Sequence, residues 1–531
     1  MPRYLKHLVN VAALHGWIFY NIYGIVLEKV LNNHHAAPKT NQATTLNSTA
    51  SPIFAPAIDN EDIDNYYWLV FIHVVIFLEY LIILPMPQII CNLLGLTFFN
   101  TFPGDIRFDK DLVPIQDRKL SGSSRINLQV EKSASSVDLA EQDSNLKNSV
   151  LLSREANDFS IPHLCFRIVT RGSYPHLVQD NVSKNYMTCV ESGLVNFSIE
   201  VVTDNAIHLA KDPKEDRIRE LVVPSNYRSS TGAMFKARAL QYALEPGVSP
   251  IGSGDYIVHL DEETIITVNV VKGISNFALK GKYAFGQGLI TYANLDVTNI
   301  ITTLADSYRV ADDMGKLRFQ LGALHNPIFG WKGSFVVSKY EAELDVSYDH
   351  GPDASIAEDC HFSMVAMTKG YKFDFIQGEM FEKSPFTLLD FIKQRRRWVQ
   401  GIWLVVHNRK IPLKTKLFLT MSHYTSLTLP ITTIAVFMNT IFSLETPFLV
   451  KLMTKFCLSM TTYMYVFGLV KSNDIKPKSF PILTLYLIIQ VIAITFYALV
   501  ENIAVIWGLF SSKHNFYVVK KDLGEKKIPD S

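Results

Sequence analysis

The chain has 531 residues, of which 48% are hydrophobic and 19% charged, against roughly 25% charged in a typical soluble domain. Fifty-one basic and fifty acidic side chains leave a net charge of +1, so no global field favours nucleic acid as a partner. Long uncharged runs at both ends exclude an ordinary soluble multidomain protein and assign membrane to the ends and a soluble part to the middle. The five cysteines stand far apart, in no metal-ligand spacing, so neither a disulfide framework nor a zinc site is expected.

Residues 8 to 27 contain no Asp, Glu, Lys or Arg, enough helix to cross a hydrocarbon core. The run is longer than the apolar part of a usual signal peptide and no clear small-residue cleavage site follows, so it reads as a first span. Residues 66 to 100 form a second apolar run broken only by Glu79. Pro85 and Pro87 in its middle should end or kink the span and leave 88 to 100 at the interface or inside the protein. Arg3 and Lys6 precede the first span, whereas the loop 31–65 carries Asp59, Glu61, Asp62 and Asp64 against Lys39. The positive-inside rule therefore puts the N-terminus in the cytosol, that loop in the lumen and the long middle back in the cytosol. A glycosylation sequon at Asn47-Ser48-Thr49 falls in the lumenal loop, and those at Asn181 and Asn196 should be silent.

Residues 121 to 160 hold ten serines and one aromatic, Phe159, a composition that buries too little apolar surface to offset ordering and reads as a disordered insertion. From about 163 short apolar runs alternate with amphipathic stretches. Leu164 to Thr170, Phe197 to Thr203 and Tyr256 to Leu260 read as buried strands, and 178–194 and 233–244 as helices, which implies an α/β domain with ligand groups at the carboxyl ends of the strands.

Acidic residues fall at those ends. Asp204 follows the second strand, and Asp261-Glu262-Glu263 follows Ile257 to Leu260. In an extended chain Asp261 and Glu263 face the same way, a spacing suited to one divalent cation between hard oxygen ligands. One such acid is more often a helix cap; two strands ending in acids favour a site. Farther on come Ala357-Glu358-Asp359 and Gln394-Arg395-Arg396-Arg397-Trp398. The arginine run alone reads equally as a topology determinant or an anionic-lipid contact.

The C-terminal part has three apolar regions: 417–444 is uncharged, 448–470 carries Lys451 and Lys455, and 480–512 is interrupted only by Glu501. Three simple spans would put the tail lysines, Lys513, Lys520, Lys521, Lys526 and Lys527, in the lumen, against the charge rule. Either one region is re-entrant or interfacial, or the last holds more than one pass.

Strand-Asp, strand-D-x-E, E-D and Q-x-x-R-W, in that order between membrane segments, resemble an inverting glycosyltransferase of family 2. Val169 to Gly172, Val258 to Thr264, Phe285 to Asn294, Trp331-Lys332-Gly333-Ser334 and Gln394 to Gly401 narrow the resemblance to the egghead type of β-1,4-mannosyltransferase. It covers both membrane ends and nearly all of 161–522. It implies a GT-A nucleotide-sugar-binding domain, α/β with a mixed, mostly parallel sheet, flanked by transmembrane helices at both ends.

The layout expected is a transmembrane helix with cytosolic N-terminus at 1–30, a lumenal loop at 31–65, a second helix and interfacial segment at 66–100, and a linker with the Ser-rich insertion at 101–160. The cytosolic catalytic domain follows at 161–410, then a transmembrane region of two to four passes at 411–512 and a basic tail at 513–531. The implied reaction moves mannose from GDP-mannose to glucosylceramide, in the endoplasmic reticulum or Golgi membrane.

By the same resemblance Asp359 is the catalytic base. Thr170, Arg171, Asp204, Lys236 and Asp261 serve the nucleotide. Asp261 and Glu263 hold Mn2+ or Mg2+; Glu263 stands where the family usually has Asp, which leaves the metal preference open. Trp331, Gly333, Glu358, Gln394, Arg397 and Trp398 serve the acceptor or the diphosphate. A processive polysaccharide synthase using a UDP-sugar shares Q-x-x-R-W, but needs a tunnel of more spans than are visible here. A catalytically idle membrane scaffold is the reading of another class.

Overall fold

The computed structural model describes residues 2–35, 60–108, 161–209, 217–474, 478–512 and Tyr517. The Asn47 sequon, the Ser-rich segment 121–160 and the tail lysines lie outside the described residues.

Helices α1 (Arg3–His35) and α2 (Asn60–Glu79) are followed by a 3-10 turn, Tyr80–Ile83, and by α3 (Met86–Phe98). The break falls where the prolines stand: Pro85 caps α3 and Pro87 occupies its first turn, where a missing N–H costs nothing.

The soluble part is built on a seven-stranded sheet: β1 (Leu164–Thr170), β2 (Phe197–Thr203), β3 (Ile218–Val222), β4 (Tyr256–Asp261), β5 (Phe285–Thr291), β6 (Val336–Lys339) and β7 (Phe373–Phe381). Its order is β3-β2-β1-β4-β6-β5-β7, parallel except for β6, which runs antiparallel to both neighbours. This is the mixed, mostly parallel sheet of the expected α/β GT-A domain. β1, β2, β4 and β5 are buried on both faces, as their near-continuous apolar runs require.

Helices α4 (Pro175–Glu191), α5 (Phe235–Tyr242), α6 (Val268–Lys280) and α7 (Ile300–Asp312) cover the sheet. α4 starts three residues earlier than periodicity indicates because Pro175 at its first position is already set for helix. It stops at Ser192 because Gly193 takes a φ of 80°. α7 runs into a π-helical turn, Asp313–Leu317, and then α8 (Arg318–Gly322). α9 (Tyr340–Val346), α10 (Glu358–Thr368) and α11 (Leu388–His407) complete this part, and α12 (Leu413–Phe442), α13 (Phe448–Ser472) and α14 (Phe480–Phe510) follow.

Two features fix the sheet's functional edge. The strand order reverses between β1 and β4, which are themselves parallel, opening a crevice beyond their carboxyl ends. Because β6 is antiparallel, the segment entering it, Trp331 to Ser334, lies at that same edge.

Among the described residues four segments are long and apolar enough to cross a membrane: Arg3–Leu27, Tyr66–Ile83, Leu413–Phe442 and Phe480–Phe510. α13 is less apolar, yet it runs antiparallel beside the whole of α1. Lys29 lies 3.9 Å from the Phe448 ring, Trp17 donates to the Ser459 carbonyl at 3.1 Å, Tyr463 donates to the Asn10 carbonyl at 2.9 Å, and Lys6 pairs with Asp474 at 2.6 Å. α14 instead follows the α/β domain from end to end. Gln490 donates to the Leu304 carbonyl at 3.2 Å, Glu501 pairs with Arg395 at 3.0 Å, and Gln400 donates to Ser511 Oγ at 2.9 Å. Its opposite face exposes Ile482, Leu485, Ile488, Ile492, Phe496, Leu499, Ile503 and Ile506.

The helices of the two ends and the sheet share one core. Leu14 of α1 and Met460, Met464 and Phe467 of α13 belong to the same apolar cluster as β1, β2 and β4. A methyl group at Gly468 would stand 1.8 Å from the Ser307 carbonyl oxygen, so only glycine admits the α13–α7 contact. Lys471 is 1% exposed and meets Glu379 of β7 at 2.9 Å. Lys471→Met leaves Glu379 buried and unpaired and is expected to cost about 3–5 kcal/mol. Thermal unfolding in detergent measures the loss, and adding Glu379→Leu should recover most of it.

Candidate active site

At the edge defined by β1, β4 and the entry to β6 lies a cavity of about 1290 Å3, large for one small molecule. All thirteen residues singled out from the sequence line it.

The nucleotide-side residues sit at strand ends. Thr170 closes β1; its hydroxyl donates to Glu262 and accepts the Gly172 N–H at 3.0 Å. Gly172 has a φ of 74°, and a methyl group there would meet the Asn205 carbonyl oxygen at 2.5 Å, so the turn carrying Arg171 requires glycine. Asp204 follows β2 and accepts from Arg238 of α5. Glu262 was missed by the sequence reading. The chain turns after Asp261 instead of continuing extended as expected, the Thr264 N–H donating to the Asp261 carbonyl at 3.0 Å, and Glu262 clasps the end of β4 to the end of β1 across the crevice by accepting from Thr170.

The centre is a knot of half-buried charge. Lys236 Nζ donates to Asp261 Oδ1 at 2.6 Å and to the Gly333 carbonyl at 2.9 Å, and stands 4.0 Å from Glu358. A methyl group on Gly333 would lie 3.1 Å from Asp359 Oδ2, 3.4 Å from Lys236 Nζ and 3.5 Å from Glu358 Oε1. The absence of a side chain there is what lets the three charged groups meet. Asp359 occupies the first turn of α10 and accepts the Cys360 N–H at 2.7 Å. Glu382, at the end of β7, joins through Thr264, whose hydroxyl donates to it at 2.7 Å. It carries the same strand-end signal as Asp204, in a strand the sequence reading did not assign.

Burial and the Asp359 charge push Glu358 up to about 7, against the pull of Lys236 and Arg397. Burial also raises Asp359, opposed by the Cys360 N–H, Lys236 and Arg397. Burial would lower Lys236, but Asp261 and Glu358 hold it above its ordinary value.

Gln394, Arg397 and Trp398 share one face of α11, whose start is capped by Thr387 accepting the Asp390 N–H at 3.0 Å. The Trp398 ring carries two guanidinium groups, Arg395 at 4.2 Å and Arg309 at 4.8 Å. Arg395 in turn pairs with Asp306 at 2.7 Å. Trp331 is 7% exposed, stacks on Phe362 and donates from Nε1 to the Asp359 carbonyl at 2.8 Å. Its position is that of a support for the start of α10.

For a divalent cation the donor set is Asp261 and Glu263, both on the cavity wall; no cluster of three or more His, Cys, Asp or Glu suited to a metal occurs among the described residues. Two carboxylates fit an ion that takes its remaining ligands from substrate phosphates and water.

The pattern of a glycosyl transferase family group 2 matches residues 256–471, which contains Asp261, Gly333, Asp359 and the whole of α11. A β-1,4-mannosyltransferase of Drosophila melanogaster, egh, is 46% identical over 84% of this chain and 87% of its own length. The β-1,4-mannosyltransferase bre-3 of Caenorhabditis briggsae is 47% identical over 86% of this chain and 90% of its own, and that of Caenorhabditis elegans 46% over the same shares. The chain belongs to this β-1,4-mannosyltransferase family. Among solved structures, S. aureus TarS 1-349 is 11% identical over 69% of the chain and 99% of its own, with a TM-score of 0.27.

The mannosyltransferase thus brings an acid pair of raised affinity for protons against a lysine. Its kcat/KM is expected to rise with pH along a limb near the value of about 7 given for Glu358, as the pair loses its shared proton. Glu358→Gln removes a like charge beside Asp359, so Asp359 ionises more readily and the limb moves to lower pH. A pH–rate profile of the two forms tests this.

Proposed function

We propose that the chain transfers mannose from GDP-mannose, with inversion, to the glucose of glucosylceramide, forming a β-1,4-mannosyl glycosphingolipid. The observation that carries this reading is the meeting of Asp261, Lys236, Glu358 and Asp359 around Gly333, in a cavity flanked by helices apolar enough for a membrane. The relatives' names support the mannosyl group and the β-1,4 linkage.

Thr170, Arg171 and Asp204 hold the nucleoside end, and Lys236 and Arg397 face the diphosphate. Asp261 and Glu263 would hold Mn2+ or Mg2+, which supplies neutralising charge for the diphosphate when bound. Asp359 takes the proton of the acceptor hydroxyl as its oxygen bonds to the mannose anomeric carbon. The carbon–oxygen bond to phosphate breaks on the opposite side, GDP leaves with the electron pair, and an α-linked donor becomes a β-mannoside. Burial keeps Asp359 in a raised range, and Trp331 fixes the turn that carries it.

For the bilayer, α1, α2, α12 and α13 are taken as the crossing helices and α14 as lying in the membrane plane, its domain-facing side held by Gln490 and Glu501 and its isoleucine stripe toward lipid. That resolves the parity of the C-terminal region: the lysine-rich tail stays on the cytosolic side with the N-terminus and the catalytic domain. The membrane is that of the endoplasmic reticulum or Golgi.

Membranes containing the chain should move a single radiolabelled mannose from GDP-mannose to glucosylceramide. Asp359→Asn should lower the rate at least about 100-fold, and chelation should abolish it. A long polymer made from a UDP-sugar would instead support the processive synthase, and no transfer by folded, inserted protein would support the scaffold. In cells, one glycan removable by endoglycosidase and lost in Asn47→Gln is expected for the lumenal loop.

A further inference from the structure

Past Gly333, away from Thr170 and Asp204, the cavity continues along Lys332, Asp312, Asp313, Lys316, Arg309 and Phe329. Of these only Lys332, within the Trp331 to Ser334 segment that resembles an acceptor loop, was marked by the sequence, and the mechanism above uses none of them. Asp312 ends α7 and Asp313 opens the π-helical turn, an uncommon geometry that recurs at functional sites.

The groups form two ion pairs. Asp312 meets Lys316 at 2.9 Å, with side chains 20% and 17% exposed. Lys332 is 25% exposed and pairs with Asp313, which is wholly buried beneath it. The Arg309 guanidinium is balanced by Asp306 at 3.4 Å. The lining therefore alternates acceptors and donors, each cation set against a carboxylate. Such a surface suits a neutral polyol better than a phosphate: adjacent hydroxyls of a hexose each donate and accept, and charged partners strengthen both bonds. Lys316 stands 5.5 Å from the Phe329 ring, and Phe329 lies 5.9 Å from Phe418 of α12, so this end opens beside a helix apolar enough to cross a membrane.

The π-turn is held from the same side. Asn92 of α3, 1% exposed, accepts the Lys316 N–H at 2.7 Å and donates to Asp312 Oδ1 at 3.1 Å. A methyl group at Gly95 would stand 2.0 Å from the Gly315 carbonyl oxygen, so α3 seats directly on the turn.

We propose that Asp312, Lys316 and Lys332 form the subsite for the acceptor's hexose, and that Asn92 is its positioning residue. This rests on the mannosyl-transfer reading and names the surface on which the acceptor's sugar is recognised.

The test uses the full chain in lipid nanodiscs, with GDP-mannose and glucosylceramide varied separately, for wild type and for Asp312→Asn, Lys316→Gln, Lys332→Gln and Asn92→Ala. The three subsite variants are expected to raise the acceptor KM about ten- to a hundred-fold, with donor KM within two-fold. Asn92→Ala should shift the acceptor KM in the same direction with kcat little changed, a split that mere destabilisation does not produce. Melting temperature and gel-filtration profile, measured on every variant, separate misfolding from lost recognition. An unchanged acceptor KM in folded Asp312→Asn and Lys332→Gln overturns the subsite, as does an equal rise in donor KM. Wild-type protein that moves mannose to no acceptor counts against the mannosyl-transfer reading itself, and takes the subsite with it.

Discussion

The ammonium of Lys236, buried among carboxylates, is the constraint on which the site depends. Asp261, Glu358 and Asp359 come from two elements, β4 and the first turn of α10, and like charges in a low dielectric repel strongly. Their approach is tolerable because Lys236 stands between them and because Gly333 contributes a carbonyl and no side chain. The antiparallel β6 follows from this need. A parallel strand in its place would carry Trp331 to Ser334 to the far edge of the sheet and leave the knot open.

A second set of buried charges joins the catalytic domain to the helices around it. Arg395 pairs with Asp306 of α7 and Glu501 of α14, and Arg395 and Arg309 both lie over Trp398. The Q-x-x-R-W segment is thus locked to two neighbouring helices as well as facing the cavity. Its tryptophan orders the arginines as much as it is available to a sugar, and Trp331 likewise spends its indole on Asp359 and Phe362.

The strand ends were legible because buried parallel strands are apolar throughout and an acid immediately after one stands out, as Asp204 and Asp261 do. Glu382 bears the same mark but follows β7, whose Asp374, Gln377 and Glu379 break the apolar run. Residue type identified Trp331 and Trp398 as site residues but not which way their rings face, since that depends on packing against Phe362, Arg309 and Arg395 from distant segments. Hydropathy registers apolar length and not what each helix lies against, so the pairing of α13 with α1 and of α14 with the α/β domain was not legible. Asp312 and Asp313 gave no signal at all: a π-turn has no sequence period of its own, and its clamp, Asn92, lies 220 residues before Asp312.

The pairing of Lys471 with Glu379 spans 92 residues of chain, and it orders events during biosynthesis. The last strand of the sheet leaves the ribosome with a carboxylate whose partner has not yet been made. At about 5–20 residues per second the wait is roughly 5 to 20 seconds, during which α12 and α13 must be synthesised and the Gly468 contact formed. Until then Glu379 lacks the ammonium that neutralises it in the finished core, and β7 cannot complete its packing. Completion of the catalytic sheet is therefore coupled to the making and docking of the penultimate helix, so the domain cannot reach its final packing ahead of the segment that follows it.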